Sequence, residues 1–118
     1  MGRLPEDVKQ ICVWLARGYD RRLAKTQAVQ RAGGRSAARR LAREQERLEA
    51  VEQALVAATG GIEADEIREK LRRAITLNVE SGHRYPYEQL GIDGISRSDF
   101  YRRKTQFLQG IAARLGLM

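Results

Sequence analysis

Apolar residues recur along this chain at intervals of three and four, and glycines punctuate them. Val8, Ile11, Cys12 and Leu15 open one face, and Tyr19, Leu23, Thr26 and Val29 carry it on in phase, which is the signature of an amphipathic helix. Pro5 followed by Glu6 and Asp7 is a helix start, since proline fits the first turn and acids there complement the helix dipole. The phase survives Gly18, so the pattern predicts one helix over about 5–32 with a weak point at Gly18; a break near Tyr19-Asp20 is the alternative. Trp14 reads as a packing residue of this helix. Gly33-Gly34 ends it, and Ser36 is placed to cap the next.

That second helix, about 36–58, places Leu41, Leu48 and Leu55 seven residues apart, with Val51 and Ala58 near the complementary heptad positions. The result is a short coiled-coil-like seam of about three heptads, imperfect because Glu44 stands where an apolar residue would be ideal. The seam fits either an internal hairpin with the first helix or a dimer zipper, and a hairpin that dimerises into a four-helix bundle satisfies both. Thr59-Gly60-Gly61 breaks the pattern again, and a boundary between two helical subdomains, 1–60 and 61–118, is expected there.

Beyond the boundary, Ile67, Leu71, Ala74, Ile75 and Asn78 or Val79 mark the buried face of a third helix over about 63–81, which Ser81-Gly82 closes. A short fourth helix spans 85–90, with Pro86 in its first turn and Gly91 after its end. Ile92 and Ile95 plug the turn, and Ser96 caps a fifth helix over about 96–115, with Asp99 three residues on approximating a capping box. At 100° per residue, Phe100, Phe107, Leu108, Ile111 and Leu115 fall within about 100° of arc, the width of a buried stripe. Lys104 lies inside that arc, so its stem is expected to be buried and its amine to reach outward or pair. The fold class is therefore all-α: an N-terminal long helical hairpin, then a C-terminal three-helix unit containing a helix-turn-helix.

Composition agrees, with 42% hydrophobic and 31% charged residues and only two prolines in 118. The net charge of +7 points to an anionic partner, most simply nucleic acid. Residues 1–34 hold seven Lys/Arg against three acids, 35–81 nine against nine, and 82–118 six against three. A single cysteine, Cys12, permits no intrachain disulfide and suits a reducing, cytoplasmic location. The opening MGRLPEDVKQ lacks an apolar leader core, and no apolar run approaches a membrane span. With one histidine, His83, and one cysteine, no metal-ligand set or Cys-His pair can be assembled, and neither Gly-Gly pair is followed by the Lys-Ser/Thr of a phosphate loop. No enzyme activity, cofactor or metal is expected.

Opposite the apolar stripe of the last helix lie Ser98, Arg102, Thr105, Gln106 and Gln109, polar and not acidic, as the outward face of a recognition helix needs to be. Arg102 suits guanine, Gln106 suits adenine, and Ser98 and Thr105 accept either. Arg84, Arg97, Tyr101 and Arg103 flank that face as candidate phosphate contacts, and the helix N-terminus favours a phosphate. In Tyr87, Leu90-Gly91, Ile95-Ser96-Arg97-Ser98, Phe100-Tyr101-Arg102 and the ending Ala112, Leu115-Gly116-Leu117, the segment resembles the C-terminal part of small phage and prophage transcriptional regulators of the ArpU/RinA type, and more distantly the last helix-turn-helix of sigma factors. The Asp93-Gly94 pair before Ile95 is a departure that lengthens the turn. The resemblance implies a bacterial or phage cytoplasmic DNA-binding regulator. The expected partners are duplex DNA and a second copy of the chain, with RNA polymerase a further candidate and no membrane. The rival expectation is a non-enzymatic packaging adaptor resembling a small terminase, acting through its coiled-coil helices.

Overall fold

The computed structural model describes residues 4–80, 87–92 and 94–117, without the side chains of Arg35, Ser36, Ala37 and Arg40. Among these residues five α-helices form, α1 (Glu6–Arg17), α2 (Tyr19–Ala32), α3 (Arg35–Ala58), α4 (Asp65–Glu80) and α5 (Arg97–Arg114), with one 3-10 turn at Tyr87–Gln89 and no strand. The all-α class is as the periodicity predicts, and the element boundaries differ from expectation in three places.

The single helix expected over 5–32 is interrupted at Gly18. Its N–H still donates to the Trp14 carbonyl at 3.2 Å and its carbonyl still accepts from Arg22 at 2.9 Å, but its ψ of 4° departs from the helical value of about −42°. At the next boundary, α3 begins at Arg35 with Gly34 at the cap position and no side-chain cap, so Ser36 lies one residue inside the helix. Gly33 and Gly34 both have positive φ, 74° and 120°, which lets the chain reverse between α2 and α3 in two residues. Of the fourth helix expected over 85–90, the described residues show the 3-10 turn Tyr87–Gln89. Residues 81–86, which include His83, Arg84 and Pro86, and Asp93 of the extended turn lie outside the described residues.

One core joins what the sequence pattern divides. Cys12, Leu15 and Ala16 of α1 and Val51, Ala54 and Ala58 of α3 cluster with Leu71, Ala74, Ile75 and Val79 of α4 and Phe100, Phe107, Leu108, Ile111 and Ala112 of α5. The expected boundary at residue 60 therefore cuts through shared apolar packing, and 1–60 and 61–118 do not bury separate cores. Helix α5 packs most extensively on α3 and next on α1, while α4 lies against α1.

The heptad seam is buried within the same chain. Leu48, Val51 and Ala58 are buried and Leu41 and Leu55 half-buried, on a helix whose main neighbours are α5 and α2. Helices α2 and α3 pack as a hairpin, and α5 covers the Val51, Ala54 and Ala58 part of the α3 face. Glu44, the misfit in the heptads, lies 3.6 Å from Arg22 Nε of α2 and 3.7 Å from Arg47 of its own helix. Trp14 does not pack inward as expected. It is 61% exposed, and the Arg22 guanidinium lies 3.8 Å over its ring, a cation–π contact that ties the base of the hairpin to α1.

The α3–α5 crossing depends on small residues. A Cβ at Gly110 would stand 3.1 Å from the Ala54 Cβ and 3.0 Å from Arg114 Nη1. Ala54 is 1% exposed and part of the core, so it can give way only if its helix shifts. Gly110→Val is expected to force the helices apart and lower stability by about 1–3 kcal/mol, the usual range for overpacking. A chemical-denaturation midpoint equal to that of the wild type would refute this.

Candidate nucleic-acid interface

Helix α5 is prepared at both ends. The extended backbone of Ser96 (φ −72°, ψ 159°) turns its hydroxyl toward the first helical turn, where Oγ accepts from the Asp99 N–H at 3.1 Å. This is the cap the sequence pattern predicts. Asp99 does not act as the second half of a capping box; its carboxylate accepts from Arg102 and, at 2.9 Å, from Arg103 Nε. Burial alone would raise the Asp99 carboxyl, but the Arg103 and Arg102 hydrogen bonds outweigh it and hold the group below its ordinary value. At the far end, Gly116 has a φ of 69°. The Leu117 N–H returns to the Ala112 carbonyl at 2.8 Å and the Gly116 N–H to Ala113 at 3.3 Å. This is the Schellman arrangement, which explains the Leu-Gly-Leu ending physically.

The segment before α5 is fastened by aromatics. The Tyr87 hydroxyl donates to the Ile95 carbonyl, and the Tyr87 N–H donates to the Tyr101 hydroxyl at 3.4 Å. The Tyr87 and Phe100 rings lie 5.8 Å apart, and Tyr101 meets Phe100 edge-on at 5.2 Å. Ile92 and Ile95 are buried as the expected plugs.

Ser98, Arg102, Thr105 and Gln106, the candidate base-reading residues, are all exposed on one side of α5, with Gln109 half-buried beside them. Thr105 donates back to the Tyr101 carbonyl at 3.0 Å, which holds its methyl and hydroxyl in one orientation. Arg102 pairs with Asp99 at the surface, a contact worth at most about 1 kcal/mol and readily exchanged.

The four candidate phosphate residues part company. Arg97 is exposed, with its Nε 2.8 Å from the Glu88 carboxylate and its guanidinium 5.3 Å from the Tyr101 ring centre. Tyr101 is half-buried and serves the aromatic clamp. Arg84 lies outside the described residues. Arg103 is turned inward: its side chain is 12% exposed, and Nη1 donates to the Ala58 carbonyl at 3.0 Å and the Gly60 carbonyl at 2.8 Å. A helix end leaves its last carbonyls without intrahelical partners, and Arg103 supplies donors to those at the end of α3. Its place in a phosphate set is corrected accordingly. The i,i+4 spacing to Asp99 was the only sign of this in the sequence, because the α3 carbonyls come from 45 residues away.

Lys104 follows the helical arc rather than its charge. It is 7% exposed, and burial, with Lys9 nearby adding repulsion, pulls its amine down from 10.5 to about 8. Burial likewise pushes the Cys12 thiol up, against a weaker opposing hydrogen bond at Ala112, so this cysteine is a packing group. Among the described residues no three His, Cys, Asp or Glu side chains gather as a metal site, and no helix is long and apolar enough to cross a membrane.

Comparison of the chain with protein-family models, with curated proteins and with solved structures finds no match in any of the three. The likeness to the ArpU/RinA-type regulators rests on the residues quoted for it.

Two measurements test the assignments made here. Arg103→Ala should lower stability by about 1–3 kcal/mol, because the part-buried Ala58 carbonyl loses a charged donor, whereas the exposed Arg102→Ala should stay within about 0.5 kcal/mol of the wild type; equal melting temperatures for the two variants would remove Arg103 from its structural role. For Lys104, the folded-state value of about 8 lies below the ordinary 10.5. Between those values the unfolded chain binds more protons, so wild-type stability gains with rising pH relative to a Lys104→Met variant, which lacks the group. A difference between the two that stays flat from about pH 8 to 10.5 would contradict this.

Proposed function

We propose that the protein is a sequence-specific duplex-DNA-binding transcriptional regulator of phage or prophage type, and that it lays the N-terminal half of α5 in a major groove. The observation that carries this reading is the capped start of α5 with Ser98, Arg102, Thr105 and Gln106 exposed together on the side away from the core. Asp99, the acid in the first turn, keeps its pair with Arg103 when Arg102 turns outward, which offsets its repulsion of phosphate.

In this reading Arg102 leaves its surface pair with Asp99 and binds guanine O6 and N7 as a fork, while Gln106, one turn on, pairs with adenine. Ser98 and Thr105 add hydroxyl contacts, and Arg97 with the α5 N-terminus meets the adjoining phosphates. The regulator class comes from the resemblance. Two copies would present their α5 helices to successive grooves about 34 Å apart, joined through a surface other than the buried α3 seam.

The test is selection of bound duplexes from a random pool, followed by affinity measurements on single-base variants of the consensus. Arg102→Ala and Gln106→Ala should each erase discrimination at one base position, by about 1–3 kcal/mol, with little change elsewhere. No enriched consensus, or variants that discriminate as well as the wild type, would overturn the reading.

A further inference from the structure

Residues 21–43 carry eight Lys/Arg and no Asp or Glu, while the other fourteen Lys/Arg share the rest of the chain with all fifteen acids. The whole positive excess of the protein therefore belongs to one stretch, and the fold makes that stretch the distal part of the α2–α3 hairpin. No described residue between 27 and 47 is buried, so this part contributes nothing to the core and stands away from it. Arg21, Lys25, Arg31, Arg39 and Arg43 are exposed along it. Concentrating like charges on a hairpin with no core of its own is unfavourable in isolation, and it becomes favourable only against a polyanion.

The hairpin is also held in place. At its base Arg22 stacks on Trp14 and pairs with Glu44, which Arg47 also approaches. Arg43, Glu46 and Arg47 share a groove with Leu115 and Leu117, so the acid-free stretch ending at Arg43 begins just past the C-terminus of α5. Arg103 fastens the opposite end of α5 to the C-terminus of α3 at Ala58. Helix α3 thus runs from the reading half of α5 out to the basic region. Arg39 and Ala58 are separated along it by about 28 Å at 1.5 Å per residue, close to the roughly 34 Å of one turn of B-DNA.

We infer that the distal α2–α3 hairpin is a second contact to duplex DNA, a basic arm that engages phosphates about one helical turn from the groove occupied by α5. This rests on the duplex-DNA reading above. The arm adds affinity and salt dependence through its charges, since phosphate contacts carry no sequence information directly.

The experiment measures affinity against salt for the full chain on two duplexes centred on the same site, one of about 12 and one of about 26 base pairs, so that only the longer reaches a full turn beyond the groove. Arg39→Gln/Arg43→Gln, both exposed and outside the core, should lower the slope of log affinity on log salt by about 2 on the long duplex, at 0.9 per lost phosphate contact. It should leave the slope on the short duplex and the base discrimination unchanged. Arg102→Ala should do the reverse, altering discrimination on both lengths. An unchanged slope on the long duplex, or an equal fall on both lengths, would overturn the arm. If the slope falls as expected while Arg102→Ala leaves discrimination intact, the arm stands and the α5 reading falls. A wild-type chain that binds neither duplex at low salt overturns both.

Discussion

The close approach of α5 to α3 is the constraint on which the remaining packing depends. Interhelical distance is set by the side chains at the contact, and here Gly110 meets Ala54 with no room for another carbon. Ala50, Ala54 and Ala58 make the matching face of α3 small, and the large residues Phe100, Phe107 and Ile111 of α5 fill the space around it. Helix α1 adds Cys12, Leu15 and Ala16 to the same cluster and α4 adds Leu71 and Ile75. A core of this density tolerates little change of volume, so the orientation of α5, and with it the direction of its polar face, is held by the entire domain.

That arrangement gives α5 two duties on opposite sides. One side is the centre of the core; the other carries Ser98, Arg102, Thr105 and Gln106 in water. A polar face mounted on a buried helix is stiffer than one on a loop, which matters for recognition because misplacement of the contacting groups weakens hydrogen-bond readout. Helix α3 runs from that core out to the basic hairpin, so the two candidate DNA contacts are joined by one helix.

The arginines show how neighbours decide the work of a charge. Arg103 closes the end of α3, Arg22 covers Trp14 and meets Glu44, and Arg102 rests on Asp99 at the surface. Arg39 and Arg43 are exposed. Guanidinium groups are suited to all of these settings, since the planar fork can satisfy carbonyls, stack on rings or bridge phosphates. What separates structural from exposed arginines is whether unsatisfied carbonyls, rings or carboxylates lie within reach.

Periodicity in the sequence was enough for the helical class, for the buried faces of α4 and α5, for Ile92 and Ile95 as plugs, for the Ser96 cap and for the burial of Lys104. These are local properties: a helix turns 100° per residue whatever surrounds it, and a cap acts within three residues. The polar outer face of α5 was legible for the same reason. Long-range contact decided the rest. The α3 seam fitted either an internal hairpin or a partner copy, and the fold covers its Val51–Ala58 part with α5 from the other end of the chain. A boundary at Gly60-Gly61 looked natural, yet apolar surface on both sides closes into one core, because neither half buries its own faces. Trp14 looked like core and is exposed, with Arg22 over its ring from across the break at Gly18. Arg103 looked like a phosphate ligand and is bound to carbonyls 43 and 45 residues away. Helix phase and cap chemistry are written in neighbouring residues; which apolar face meets which, and which arginine meets an orphan carbonyl, is settled only when distant segments compete for the same surface.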